Sequence, residues 1–176
     1  YIMPRIKAFK AVHYNKEKVG DFKKVVSPPY DIISDDEQTY LNNLSPYNFT
    51  HIDFAKDRPN DDRSNNKYTR AKGLFEEWLR KEVMVEDDKP SIYFYRQEYK
   101  IQGQKYSRMG FISLMELQDE ADSKVYPHEN THASAVDDRL KLTSALNAGL
   151  SCIFVCYSDR NKTVEKIFNK KVMPTE

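Results

Sequence analysis

The chain has 176 residues, enough for one domain with a real core and short for two. Hydrophobic residues make up 39% and charged residues 31%, as in ordinary globular proteins, and no run approaches the roughly 20 apolar residues that a membrane span needs. With 28 basic against 27 acidic residues the formal charge is +1, so the overall balance gives no pull toward a polyanion such as nucleic acid.

In chain order, Ile6 to Val12 alternates as a strand does, and a polar loop follows to Phe22. Lys24 to Ser27 reads as a second short strand running into Pro28-Pro29-Tyr30-Asp31, where two fixed φ angles predict a rigid extended turn. Ser34-Asp35-Asp36-Glu37 has the spacing of a capping box and predicts a helix to about Leu44. Phe49 to Phe54 reads as a strand, and Arg58 to Ser64 as a mobile polar loop. Tyr68, Ala71, Phe75, Trp78 and Leu79 mark the apolar stripe of an amphipathic helix. Ile92–Tyr99 and Tyr106–Met115 flank Gln102-Gly103 and predict an antiparallel hairpin, with Phe75 and Trp78 packed on its sheet. Ser134 to Asp137 opens a further helix through Leu140, Leu142 and Leu146 that stops near Gly149. Ser151 to Tyr157 reads as a buried strand, and Val164 to Phe168 begins a last helix. Strands and helices interleave irregularly, so the expected fold is α/β of the α+β kind: a mixed sheet with an antiparallel hairpin and flanking helices, in a single domain over 1–176.

Cys152 and Cys156 share one face of the expected strand about 13 Å apart, too far for a disulfide. They read as buried, reduced thiols, and no leader peptide opens the sequence, so the expected compartment is cytoplasmic.

His128-Glu129-Asn130-Thr131-His132 matches the H-E-x-x-H pattern of zinc proteases, which needs both imidazoles on one face of a buried helix. Pro127 and polar flanks deny it that helix, so no zinc centre is expected. The wider run from Pro127 to Arg139 gathers an imidazole, carboxylates, an amide, hydroxyls and a guanidinium near a helix start, groups that suit phosphate binding and acid–base work. The competing reading is a solvated loop with a helical Asp–Arg pair. Pro28–Asp31 either presents Tyr30 and Asp31 at a pocket edge or is a structural turn. The hairpin tyrosines could stack on bases, but cross-strand packing is the commoner use of such residues. Phosphate loops and dinucleotide fingerprints are absent from the sequence.

Taken together, Ile6-Lys7-Ala8-Phe9, Val26 to Ile33, Ser45 to Ile52, Tyr93 to Tyr99, Arg108-Met109-Gly110-Phe111, and Pro127 to Thr131 followed by Asp138-Arg139-Leu140 are similar in order to the bacterial proteins grouped as domain of unknown function 1015. The resemblance carries over to Pro29, Tyr30, Asp31, His128, Glu129, Thr131, Asp138 and Arg139; His132 is not part of it, and His13 stands where family members often carry arginine. It implies that this chain is the N-terminal portion of a longer protein, with the C-terminal half as a partner. It points distantly to the ParB and free-serine-kinase fold. Members often sit beside serine-biosynthesis genes, which implies work on phosphoserine as a phosphatase or phosphotransferase; some are labelled helix-turn-helix regulators.

The expected function is therefore an enzyme acting on a small phosphorylated metabolite. His128 and Glu129 serve as acid–base groups, Asp31 as a nucleophilic or metal-binding carboxylate, and Arg139 as the phosphate clamp. Thr131, Tyr30 and Asp138 complete the substrate-binding set. The cofactor stays open between magnesium and a nucleotide, with no structural zinc; neither nucleic acid nor membrane is an expected partner. A non-catalytic binding module is the first alternative. A DNA-binding regulator is the second, although Asp137 and Asp138 at the candidate helix would repel phosphates. The enzyme reading further expects Asp31, His128, Glu129 and Arg139 to converge on one cleft.

Overall fold

The computed structural model describes residues 4–118, 125–126 and 132–171. In chain order they form β1 (Ile6–Lys7), β2 (Val12–Tyr14), α1 (Lys16–Val19), α2 (Asp35–Leu44), α3 (Thr50–Asp53), α4 (Lys67–Arg80), β3 (Met84–Glu86), β4 (Tyr93–Ile101), β5 (Gln104–Ile112), β6 (Leu114–Met115), α5 (Ala133–Leu146) and α6 (Thr163–Lys171). Single 3-10 turns stand at Phe22–Lys24 and Tyr30–Ile32. The fold is mixed α/β; among the described residues its strands pair two by two, each pair antiparallel. The chain divides into two compact units, both assembled from separated stretches.

The first unit takes the described residues of Tyr1–Ala11, Asp88–Tyr126 and Cys152–Glu176. Its centre is the expected hairpin, β4 paired with β5 from Tyr93↔Ile112 to Ile101↔Gln104. Gln102 and Gly103 turn it with φ of 49° and 82°, the left-handed pair that a two-residue hairpin loop requires. Gly110 sits opposite Tyr95, whose ring fills the space a side chain would take: a Cβ there would lie 2.6 Å from the ring. The strand expected over Ile6–Val12 is split. Ile6–Lys7 pairs with Leu114–Met115, Phe9 bridges to Ser91, and Val12 already belongs to the other unit. Tyr93 holds the split ends, donating to the Phe9 carbonyl at 3.2 Å and accepting from the Ala11 amide at 2.9 Å. Helix α6, as expected from Val164 onward, sets Phe168 edge-on against Phe94 at 5.0 Å.

The second unit takes Val12–Asp87 and the described residues of Pro127–Ser151. Helices α3, α4 and α5 and the β2–β3 ribbon enclose a core of Ile52, Ala71, Phe75, Trp78, Val83, Met84, Leu142 and Leu146. Trp78 is 1% exposed, flanked by Tyr14 and Tyr47, each with ring centres 6.0 Å away. Phe75 and Trp78 therefore pack in this helical core, which corrects the expectation that they lie on the hairpin. Helix α2 starts as its sequence predicts, with the Ser34 hydroxyl accepting from the Glu37 amide at 3.2 Å. Helix α5 begins at Ala133, one residue ahead of the expected start, and ends on Asn147 at φ 52°.

Two expected strands of this unit are absent, for one reason. Asn48 is fully buried; its amide nitrogen donates to the carbonyls of Lys24 (2.8 Å) and Val26 (3.1 Å), and its side-chain oxygen accepts from the Thr50 amide at 3.1 Å. The chain around Val25 thus follows the Phe22–Lys24 turn and takes its partners from the Asn48 side chain and from the Phe49 amide, which donates to the Val25 carbonyl at 2.8 Å, where a neighbouring strand had been expected. The same asparagine turns residues 50–53 into helix α3, closed by Asp53 N–H to Phe49 O at 2.9 Å. The third missing strand is Ser151–Tyr157: every residue from Ser151 to Tyr157 is exposed and none has strand pairing, so Cys152 and Cys156 are exposed thiols rather than buried ones.

Candidate functional site

Four elements of the second unit deliver charged or aromatic groups to one place. Pro29, at φ −54° and ψ 138°, leads into the Tyr30–Ile32 turn and sets the half-buried Tyr30 ring next to Phe54. Helix α3 supplies Asp53, whose side chain is 8% exposed. Helix α4 supplies Lys67 and Tyr68 in its first turn, fixed by a reciprocal cap: Asn66 accepts from the Tyr68 and Thr69 amides, and the Thr69 hydroxyl accepts from the Asn66 amide. Helix α5 supplies Asp138 and Arg139.

Arg139 is the centre. Its Nη1 donates to Asp53 Oδ1 at 2.8 Å, and its Nη2 to the Asp53 carbonyl at 2.9 Å and to Asp138 Oδ2 at 2.6 Å. Its Nε reaches the same Asp138 oxygen at 3.1 Å. Four of the five donors of a guanidinium are thereby used. Its flat face lies 3.7 Å from the centre of the Tyr30 ring, a cation–π stack. Asp138 uses its other oxygen as well, accepting from Tyr68 Oη at 2.8 Å and facing Lys67 Nζ at 3.2 Å. Lys67 continues to Asp57, also at 3.2 Å.

The two carboxyls on Arg139 are pushed in opposite directions. Burial raises Asp53 above the ordinary 3.8, and the pull of Arg139 does not undo it. Burial also pushes Asp138 upward, but the hydrogen bonds from Arg139, Tyr68 and Lys67 outweigh it and leave Asp138 below 3.8. Lys67 loses hydration too, yet its bonds to Asp138 and Asp57 hold its ammonium above the usual lysine value. The cleft bounded by Asp53, Phe54, Lys67, Tyr68, Asp138 and Arg139 encloses about 10 Å³, room for about one water.

Of the residues expected at a site, Tyr30, Asp138 and Arg139 come together here. Asp31 is exposed on the neighbouring turn, and no hydrogen bond or ion pair ties it to the network among the described residues. His128, Glu129 and Thr131 lie outside the described residues. His132 precedes α5 as its N-terminal flanking residue, so the second histidine of the H-E-x-x-H run is not within a helix. Among the described residues no three His, Cys, Asp or Glu side chains gather as metal ligands. Sequence reasoning missed Asp53, Asp57, Lys67 and Tyr68. Lys67 did carry a signal: a cation in the first turn opposes the helix dipole and calls for carboxylates nearby. Asp53 carried none, because the segment around it reads as a strand.

Comparison with curated proteins and with solved structures returns no significant match. The profile of the family described as protein of unknown function DUF1015 matches residues 6–176, nearly the whole length, and the chain belongs to that family.

Proposed function

We propose that this chain is the ligand-handling part of an enzyme acting on a small phosphorylated metabolite, of phosphatase or phosphotransferase type, with phosphoserine as the substrate class. The observation that supports this reading is the 3.7 Å stack of Arg139 on Tyr30. It joins the Pro28–Asp31 turn to the polar run that ends at Arg139, as one reacting centre would require of segments so far apart in sequence. Helix α5 has no side-chain cap among the described residues, and this reading places an anion at the amides of its first two residues, Ala133 and Ser134. His128 and Glu129 are the acid–base candidates of this reading, Thr131 a substrate hydrogen-bonding group, and Asp31 an exposed carboxylate at the edge. Arg139 has a changed part in it. With its donors occupied by Asp53 and Asp138, it is a positioning residue that fixes Tyr30 and the start of α5, while the phosphate falls to the helix amides.

The test is a phosphate-release screen of the full-length protein against phosphorylated metabolites, phosphoserine included, with and without magnesium. Release from phosphoserine that disappears in His128→Ala is the expected result. Arg139→Ala should lower kcat more than it raises KM, and Arg139→Lys should recover part of the loss. A folded protein that shifts its melting temperature with a metabolite but turns none over overturns the enzyme reading in favour of a binding module.

A further inference from the structure

We propose that Cys152–Tyr157 is a β-strap that closes in parallel onto the open outer edge of β5, turning the two-stranded hairpin of the first unit into a three-stranded sheet. The segment Cys152-Ile153-Phe154-Val155-Cys156-Tyr157 is rich in β-branched and aromatic residues. It nevertheless makes no backbone hydrogen bond among the described residues and leaves Ile153 83% exposed. Water satisfies the backbone of this exposed run, but its apolar and aromatic side chains gain burial if the run pairs with an open sheet edge. β5 has such an edge, because among the described residues it pairs with β4 on one side only.

The segment already lies along that edge. Arg108 stands over the Phe154 ring at 4.8 Å, and the rings of Phe111 and Tyr157 are 5.8 Å apart. Moving three residues up β5 from Arg108 to Phe111 moves three residues up the segment from Phe154 to Tyr157. Equal steps in the same direction define a parallel register. The odd step puts the two contacts on opposite faces, as adjacent extended strands must. Parallel pairing needs a long connection, and the residues between Ile112 and Cys152 contain the 14-residue helix α5. In this register Val155 lies beside Met109, and Cys156 beside Gly110, where Tyr95 occupies the missing side chain's place and offers its ring to the thiol. At the Tyr157 end of the segment a cleft of about 190 Å³ is lined by Met109 and Gly110 of β5, by Tyr157, and by Val164 and Phe168 of α6, among others. Closing the strap fills the β5 side of that cleft and gives the hairpin the third strand that such ribbons need for independent stability.

Amide hydrogen exchange and nuclear Overhauser contacts, read residue by residue on the whole chain, test the strap directly. The expected result is slowed exchange across 153–157, together with parallel cross-strand contacts pairing 153–157 with 107–111. Replacing both Phe154 and Tyr157 with serine should remove that protection while the β4–β5 amides keep theirs. If the double variant unfolds the hairpin as well, the cross-strand contacts in the parent, present or absent, still separate a closed strap from an open one. Exchange over 153–157 at the rate of an unstructured chain beside a protected hairpin would overturn the proposal. So would protection that grows with protein concentration, which would make a second copy the partner.

Discussion

Asp53 and Asp138 share one guanidinium, and their different burial makes them respond to pH in opposite senses. Asp138 is held below 3.8, so the stability it contributes is complete above that value and is lost as pH falls through its lowered folded pKa. Asp53 is raised above 3.8, so its contribution is greatest at acid pH and is lost as pH rises through its elevated folded pKa. Urea unfolding between pH 4 and 7 should therefore show the parent losing stability relative to Asp53→Asn as pH rises from about 3.8 through the raised value. A constant difference would mean that Asp53 titrates normally. Arg139→Ala, which strands the buried Asp53 carboxylate, should cost about 2–3 kcal/mol at neutral pH in the same assay. At this scale the sequence disclosed three members of the Arg139 network. Tyr30, Asp138 and Arg139 stood out because rigid turns and helix starts present polar groups. Asp53 and Asp57 stayed hidden because what gives them a role is a cation, Arg139 or Lys67, supplied by another element.

At the level of elements, the readable features were those whose reason is local. The hairpin turn at Gln102–Gly103, the Ser34 cap and the apolar stripe of α4 each follow from residues a few positions apart, and each formed as expected. The strands expected around Val25 and Phe49 failed because one buried side chain, Asn48, outcompetes strand pairing at both places, and β-propensity contains no information about it. Asn48→Ala should accordingly cost about 3 kcal/mol, since two carbonyls and an amide lose their partner together. Chemical denaturation measures this, and a loss under about 1 kcal/mol would mean that water replaces the asparagine. In the first unit, Gly110→Ala should displace the Tyr95 ring and cost about 1–2 kcal/mol, read as a lower melting temperature.

For the molecule as a whole, the two units are built from interrupted stretches of chain, three for one and two for the other. Late residues complete both: α5 contributes Leu142 and Leu146 to the helical core, and α6 contributes Phe168 to the hairpin unit. A chain ended at Tyr126 should thus lose cooperative unfolding in both units, seen by circular dichroism as a broad, featureless melt. Survival of a sharp transition would show that one unit closes without its late helix. Composition and periodicity carry no trace of the interruption: each segment has an ordinary pattern, and only long-range contacts sort the segments into two compact units. Trp78 adds an optical asymmetry to this arrangement. It is the only tryptophan of the chain, buried in the second unit with Tyr14 and Tyr47 close enough to pass it their excitation. Its emission therefore reports on the unit that contains it, so a fluorescence melt that runs ahead of or behind the dichroism melt shows that the helical unit does not unfold together with the rest.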